Sequence, residues 1–308
     1  MRLRTEGNRL MQELAPDRRP RGSDLASRLA VNQMTLVGTP FEDDVEVTRD
    51  VDLRGLGVEE QKLGEGRDEE LAEMLSAADL QATLCVPATP SILPVEMFGG
   101  ATDPQVRIEQ MITSIARFER FQPSQFITLT GVDQSLQESE QRQIVIDGYR
   151  RVSAAAAKTG ALIGIEPIRA RFAPEASIVS SLAETALLIE EINAPNVGII
   201  FDVWHHHDSP TLVADIEDYA SLFSIVQLGD APHGSDTGLN RAIPGEGSIR
   251  FDQILGALDR AGYLGWFDIE LLTDPSSAGA LPGNLSAHEV LTRATRGIKD
   301  AWEARPRR

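Results

Sequence analysis

The stretch Val197-Gly-Ile-Ile-Phe-Asp202-Val-Trp-His-His-His207 decides the fold. Five apolar or small residues run unbroken and end on an acid, and a polar loop follows at once. A half-exposed strand would alternate polar and apolar residues. A continuous run instead reads as a strand covered on both faces, as in a parallel sheet flanked by helices.

The same pattern recurs outward from it. Downstream lie Ile225-Val-Gln-Leu-Gly-Asp230 and Trp266-Phe-Asp-Ile-Glu-Leu271. Upstream are apolar runs at 29–36, 55–61, 81–87, 125–130 and 161–166. Helical period fills the gaps. Residues 105–121 place Val106, Ile108, Ile112, Ile115 and Phe118 near one stripe. Residues 137–158 stop before Gly160, where a helix C-terminal glycine is expected. Residues 179–193 carry Leu182, Ala186, Leu187 and Ile189 in register, and residues 249–261 follow Ser248, read as an N-cap. A last helix is expected over 287–302. Eight strands alternating with about eight helices predict a (β/α)8 TIM barrel, a single catalytic domain over residues 29–308. The competing doubly wound open sheet needs a glycine-rich turn after its first strand, and Thr35-Leu-Val-Gly-Thr-Pro40 does not supply one.

Composition narrows the function. Of 308 residues, 42% are hydrophobic and 25% charged, a balance that suits a soluble globular chain. The net charge of -18 repels nucleic acid in the absence of a basic stripe. No apolar run is long enough for a membrane helix. One cysteine, Cys85, permits no intramolecular disulfide and fits a reducing compartment, so a cytoplasmic location is expected. Residues 1–28 hold seven Arg against four acids and read as a poorly ordered or surface-draped extension. Arg18-Arg19 is not followed by an apolar stretch, so no export signal is read there.

In a barrel the chemistry sits at the C-terminal strand ends. These are Asn32, Gln33 and Thr35, then Glu59, Glu60 and Lys62, then Cys85, Thr130, Glu166, Asp202, Gln227, Asp230 and Glu270. Three carboxylates and an amide (Glu166, Asp202, Gln227, Glu270) end four consecutive strands. Oxygen-bearing groups converging on one cavity repel unless a cation joins them, and a hard ion such as Mg²⁺ or Mn²⁺ prefers such ligands. Of the three adjacent histidines, His205 is best placed to turn into the mouth. His206 and His207 belong to the surface or behind the site, and Trp204 reads as packing or an apolar wall. Arg241 reads either as a grip on a carboxylate, phosphate or sugar hydroxyl or as a surface ion pair.

Gly164-Ile-Glu166-Pro167, Phe201-Asp202-x-x-His205, Val226-Gln227-x-x-Asp230 and Arg241-x-x-Pro244-Gly-x-Gly247 together resemble the sugar phosphate isomerase/epimerase superfamily. This is the xylose-isomerase-like barrel group that includes inosose isomerases, ketose 3-epimerases, hydroxypyruvate isomerases and the endonuclease IV type. Val31-Asn-Gln-Met-Thr35 is similar to the inosose isomerase branch. The resemblance implies Glu166, Asp202, Gln227 and Glu270 as metal ligands and Glu166 and Glu270 as the proton-transferring pair. It implies His205, Arg241 and Lys62 as substrate-binding residues. Gln227 stands where many relatives carry histidine, which tilts the ion towards Mn²⁺ or Mg²⁺. Glu59-Glu60 replaces an aromatic–Arg pair common in relatives, which argues against carrying over a phosphorylated substrate. The segment from Thr273 to Ala287 is long and reads as a lid or an oligomer contact.

The leading expectation is a metal-dependent isomerase or epimerase of a keto-sugar, inosose or similar carbonyl compound, working through an enediolate. A lyase of the same group is the alternative, either an inosose-type dehydratase or a C-glycoside-cleaving enzyme with a small partner subunit. A barrel that binds sugar without turnover is the non-enzymatic alternative. The endonuclease reading fits least, since the chain has five histidines in all. The expected partner is a small carbohydrate, with no nucleic acid and no membrane. A homo-oligomer is compatible with such barrels.

Overall fold

The computed structural model describes Leu14 and residues 16–234, 239–272 and 281–306. Eight parallel strands close into a barrel in sequence order. They are β1 (Leu29–Asn32), β2 (Gly55–Glu59), β3 (Gln81–Val86), β4 (Gln125–Thr128), β5 (Leu162–Ile165), β6 (Val197–Asp202), β7 (Phe223–Leu228) and β8 (Trp266–Ile269). The barrel closes through β1 and β8, with Ala30 opposite Asp268. Each expected apolar run holds one strand.

Side chains alternate across the barrel wall. Leu56, Val58, Ile199, Phe201, Phe267 and Ile269 face outward into the large core beneath the helices. Ala30, Leu84, Val86, Ile127, Ile200, Ile225 and Trp266 fill the interior. Gly164 faces the same interior, where a Cβ would fall 2.2 Å from Ile200 Cδ1. The barrel is therefore a packed core, and only its upper rim is free for chemistry.

The outer helices follow the expected segments closely. Glu138–Thr159 ends at Gly160, whose φ of 74° closes the helix in the left-handed region. Three details differ. Val106 and Leu187, placed on buried stripes from their spacing, are exposed. Each helix buries a narrower face than its apolar residues could cover, because the sheet contacts only one side. Ser248 does not cap. Its hydroxyl donates to the Ala231 carbonyl, and helix Phe251–Arg260 starts after Arg250 with no side-chain cap.

The N-terminal extension was read as poorly ordered or draped over the surface, and its described part packs on the barrel. Ser124 Oγ donates to the Arg18 carbonyl, Arg18 Nη1 to the Pro123 carbonyl, and Gln81 Nε2 to the Asp17 carbonyl. Leu14 packs on Leu162, the first residue of β5. These partners start β3, β4 and β5, so the segment covers the N-terminal end of the barrel, opposite the candidate site. Arg28 is buried, donates to the Tyr263 carbonyl, and stacks over Phe267. Arg18 and Arg28 therefore find carbonyl partners, and Arg28 an aromatic one as well, which composition alone does not show. Residues 1–13 and 15 lie outside the described residues.

Candidate active site

Strand alternation brings Glu166, Asp202, Gln227 and Glu270 to the same rim of the barrel. Asp202 ends β6 and Gln227 is its register partner on β7. Glu166 and Glu270 each follow directly after β5 and β8. All four are buried. One atom each of Glu166, Asp202 and His205 lies within 4.8 Å of the others.

Arg241 sits among these acids and is itself buried. Its Nη2 lies 2.6 Å from Asp202 Oδ2 and its Nη1 2.5 Å from Glu270 Oε2. Of the two readings left open by the sequence, the surface ion pair is excluded. Glu270 Oε1 accepts from Gln227 Nε2 at 2.6 Å and from Asn32 Nδ2 at 3.1 Å. Glu270 is thus held by three donors from β1, β7 and the loop between β7 and helix Phe251–Arg260.

Burial sets the electrostatics. It pushes the Glu166 carboxyl well above the ordinary range, helped by the nearby Glu270 and Asp202 charges. It pushes Asp202 up to about 7, against the pull of Arg241. Asp268 lies under Glu270 on the interior face of β8, and burial followed by the Glu270 charge pushes it well up too. One guanidinium does not balance this group of acids. Gln227 Oε1 is buried without a hydrogen-bond partner among the described residues, although its amide nitrogen is engaged. Excess buried negative charge and an orphaned amide oxygen fit a hard divalent cation held by Glu166, Asp202, Gln227 and Glu270.

His205 serves differently. Its Nδ1 accepts the Arg169 backbone N–H at 3.3 Å, so the neutral ring carries its proton on Nε2. That Nε2 lies 3.5 Å from Glu166 Oε1 and 3.7 Å from Asp202 Oδ2. Burial holds the ring neutral, well below the ordinary histidine range. An Nε2–H donor suits a substrate oxygen better than a metal. His206 is also buried, stacked on Phe201 behind the site, and burial lowers it to about 4. His207 bonds the Trp204 carbonyl. Trp204 is the expected wall, in face contact with both Arg241 and Arg169.

Lys62 is not brought to the cluster. Its ammonium donates to Asp44 and to the Leu36 carbonyl, tying the first two loops together. Asp44 is a fully buried acid on a helix, and no strand-end reading could have announced that it would capture Lys62. Glu60 binds the Ala88 N–H and Arg117. Cys85 faces the outer core, away from the rim. Asn32 was read at its strand end without a role, and Asp268 is the participant that sequence reasoning missed. Period-two spacing from Glu270 and Trp266 was the available signal for Asp268.

The Pro-Gly and Glu-Gly pairs after Arg241 also find their reason. Asp230 Oδ2 accepts the Gly245 and Gly247 N–H groups, and Oδ1 accepts those of Ala231 and Ile249. Asp230 and Ala242 exchange backbone bonds as well, which fixes Arg241 next to them. Asp230→Ala is expected to leave several buried N–H groups unsatisfied and cost about 2–4 kcal/mol. Thermal unfolding should show a fall of several degrees, with Asp230→Asn intermediate. An unchanged midpoint would remove Asp230 from this role.

Residues 43–293 match the family model described as the xylose isomerase-like TIM barrel. The chain belongs to that family. It is 31% identical to an inosose isomerase of Halalkalibacterium halodurans over 98 residues, 30% of this chain and 34% of that one. It is 28% identical to a ketose 3-epimerase of Arthrobacter globiformis over 37% of this chain and 36% of that one. An inosose dehydratase of Erwinia tasmaniensis matches at 24% over 49% and 55%. The chain spans about a third to a half of the length of these curated relatives. Two solved structures share the fold: a protein of Sinorhizobium meliloti 1021 (TM-score 0.77, 18% identity, 90% and 98% covered) and the IOLI protein with a zinc atom (0.73, 17%, 90% and 98%). Among the described residues no helix is long and apolar enough to cross a membrane.

Proposed function

We propose that the chain is a divalent-metal-dependent isomerase or epimerase of a neutral keto-sugar, inosose or related polyol-derived carbonyl compound. The observation that carries this reading is the pair Glu166 and Glu270, two buried carboxylates on opposite sides of Asp202 and Gln227. A cation held by these four residues would supply Lewis acidity to a carbonyl and its neighbouring hydroxyl, with Mn²⁺ or Mg²⁺ the ions suited to an all-oxygen set. Glu166 or Glu270 removes the acidic α-proton and the other returns it to the adjacent carbon or the opposite face. His205 donates its Nε2–H to a substrate oxygen. Arg241 steadies the charge that develops on the same side.

The test is solvent deuterium uptake into a panel of ketoses and inososes, with metal content measured on the same preparation. Deuterium on the product carbon and about one ion per chain support the proposal. No uptake, with no metal retained after Mn²⁺ soaking, overturns it and leaves a binding barrel. The inosose dehydratase relative motivates a second reading with the same first step, and a product lighter by one water would select it.

Metal affinity should follow pH with a defined sign. Asp202, raised to about 7, must lose its proton to serve as a ligand. Its protonated form favours the metal-free fold below the ordinary carboxylate range, and that contribution is lost as pH rises through about 7. Mn²⁺ titrations between pH 5 and 8 should show affinity rising with pH, because Asp202 and Glu166, both raised by burial, must lose their protons to serve as ligands. A flat profile would exclude Asp202 from the ligand set.

A further inference from the structure

The rim divides into two halves. Strands β5 to β8 supply Glu166, Asp202, Gln227 and Glu270. Strands β1 to β4 supply Asn32, Glu59, Val86 and Ile127, with Met34 packed beside them. Leu56 and Val58 face the outer core, so Gly55, Gly57 and Glu59 face inward. The positions of Gly55 and Gly57 confirm this, since a Cβ on either would meet Ala30 or Asn32. Glu59 ends β2 one pleat above Gly57, beside its register partner Val86 on β3. It is the single charged side chain among those strand-end positions.

Its carboxylate is half-buried and receives no hydrogen bond from any described residue; the groups that act on it are Lys62 and Asp44, through charge alone. Lys62, the nearest cation in sequence, is committed to Asp44 and the Leu36 carbonyl. The acid therefore keeps its acceptor capacity unused, with Lys62 and Asp44 the charged groups that act on it. Two strand spacings, about 10 Å, separate Gly57 from the β8 position across Asn32, and Glu59 stands one pleat further along β2. That span suits a six-carbon polyol lying from one half of the rim to the other. Hydroxyl groups satisfy such a carboxylate, whereas a phosphate is repelled by it.

We propose that Glu59 is a substrate-contacting residue whose carboxylate accepts hydrogen bonds from hydroxyls at the non-reacting end of a neutral polyol and discriminates against phosphorylated carbohydrates. This rests on the reading above, in which the reacting carbons lie against Glu166 and Glu270.

The experiment compares wild type, Glu59→Gln, Glu59→Asp and Glu59→Lys in deuterium uptake from neutral ketoses and inososes and from ketose monophosphates. Glu59→Gln should raise KM for neutral substrates about tenfold or more, with kcat within about threefold. Glu59→Asp should recover part of the loss, and Glu59→Lys should move the preference towards the phosphates by about tenfold. An unchanged KM in Glu59→Gln, or a wild type that prefers phosphates, overturns the proposal. Absence of uptake in wild type refutes the enolisation reading, and Glu59 is then judged by saturation-transfer NMR with myo-inositol. Transfer in wild type that is lost in Glu59→Gln upholds the contact; equal transfer in both, or none in either, overturns it.

Discussion

Glu270→Gln is expected to abolish metal retention and to cut deuterium uptake by about 10²–10⁴-fold. The substitution keeps the shape and removes one negative charge from the ligand set. It also reverses hydrogen-bond polarity. Glu270 accepts from Gln227 and Asn32 on one oxygen and from Arg241 on the other. A glutamine offers one acceptor oxygen and one donor amide, so on one side N–H must face N–H. Elemental analysis of wild type and variant, purified without chelator, reads the first effect. Near-stoichiometric metal in Glu270→Gln would sink the four-ligand assignment. Loss of uptake with metal retained would instead assign Glu270 to proton transfer alone.

Arg241→Ala should produce the largest loss of stability in the metal-free protein. The arginine is the one cation bonded to both Asp202 and Glu270, and all three side chains are buried. Its removal leaves two carboxylates in a low-dielectric site without a counter-charge, a change that costs about 3–5 kcal/mol. For a domain of this size that is a fall in Tm of roughly 5–9 °C. Added Mn²⁺ should restore more stability to the variant than to wild type, because the ion then meets no competing guanidinium. Thermal unfolding in chelator and in Mn²⁺ gives both numbers. A change under about 2 °C in chelator would show that the acids neutralise themselves by taking up protons, and Arg241 would lose its stabilising role.

The two predictions separate what Glu270 and Arg241 do. One concerns what holds a cation, the other what replaces it when absent. Both depend on the same contacts, so measuring the double variant would show strong non-additivity.

The eight apolar runs and the glycine-marked helix ends made the barrel readable from sequence, because period and turn chemistry are local properties. The three acids and one amide at successive strand ends were readable for the same reason. Once the strands are parallel and consecutive, their ends must share one rim. Their C-terminal position alone brings Glu166, Asp202, Gln227 and Glu270 together. Helix faces were less legible. Val106 and Leu187 sit in apolar registers, yet the width of the buried stripe depends on how the sheet meets the helix.

What the sequence determined by itself is therefore the barrel and the ring of oxygen donors, since each follows from local pattern plus strand order. Tertiary structure alone decided the partners. Lys62 could not be assigned to Asp44, nor Arg241 to Asp202 and Glu270, nor Arg18 to the Pro123 carbonyl, because a long cationic side chain reaches any of several acceptors. Which acceptor it takes depends on burial and on contacts between segments 18 to 105 residues apart in the chain, and these exist only when the barrel has closed.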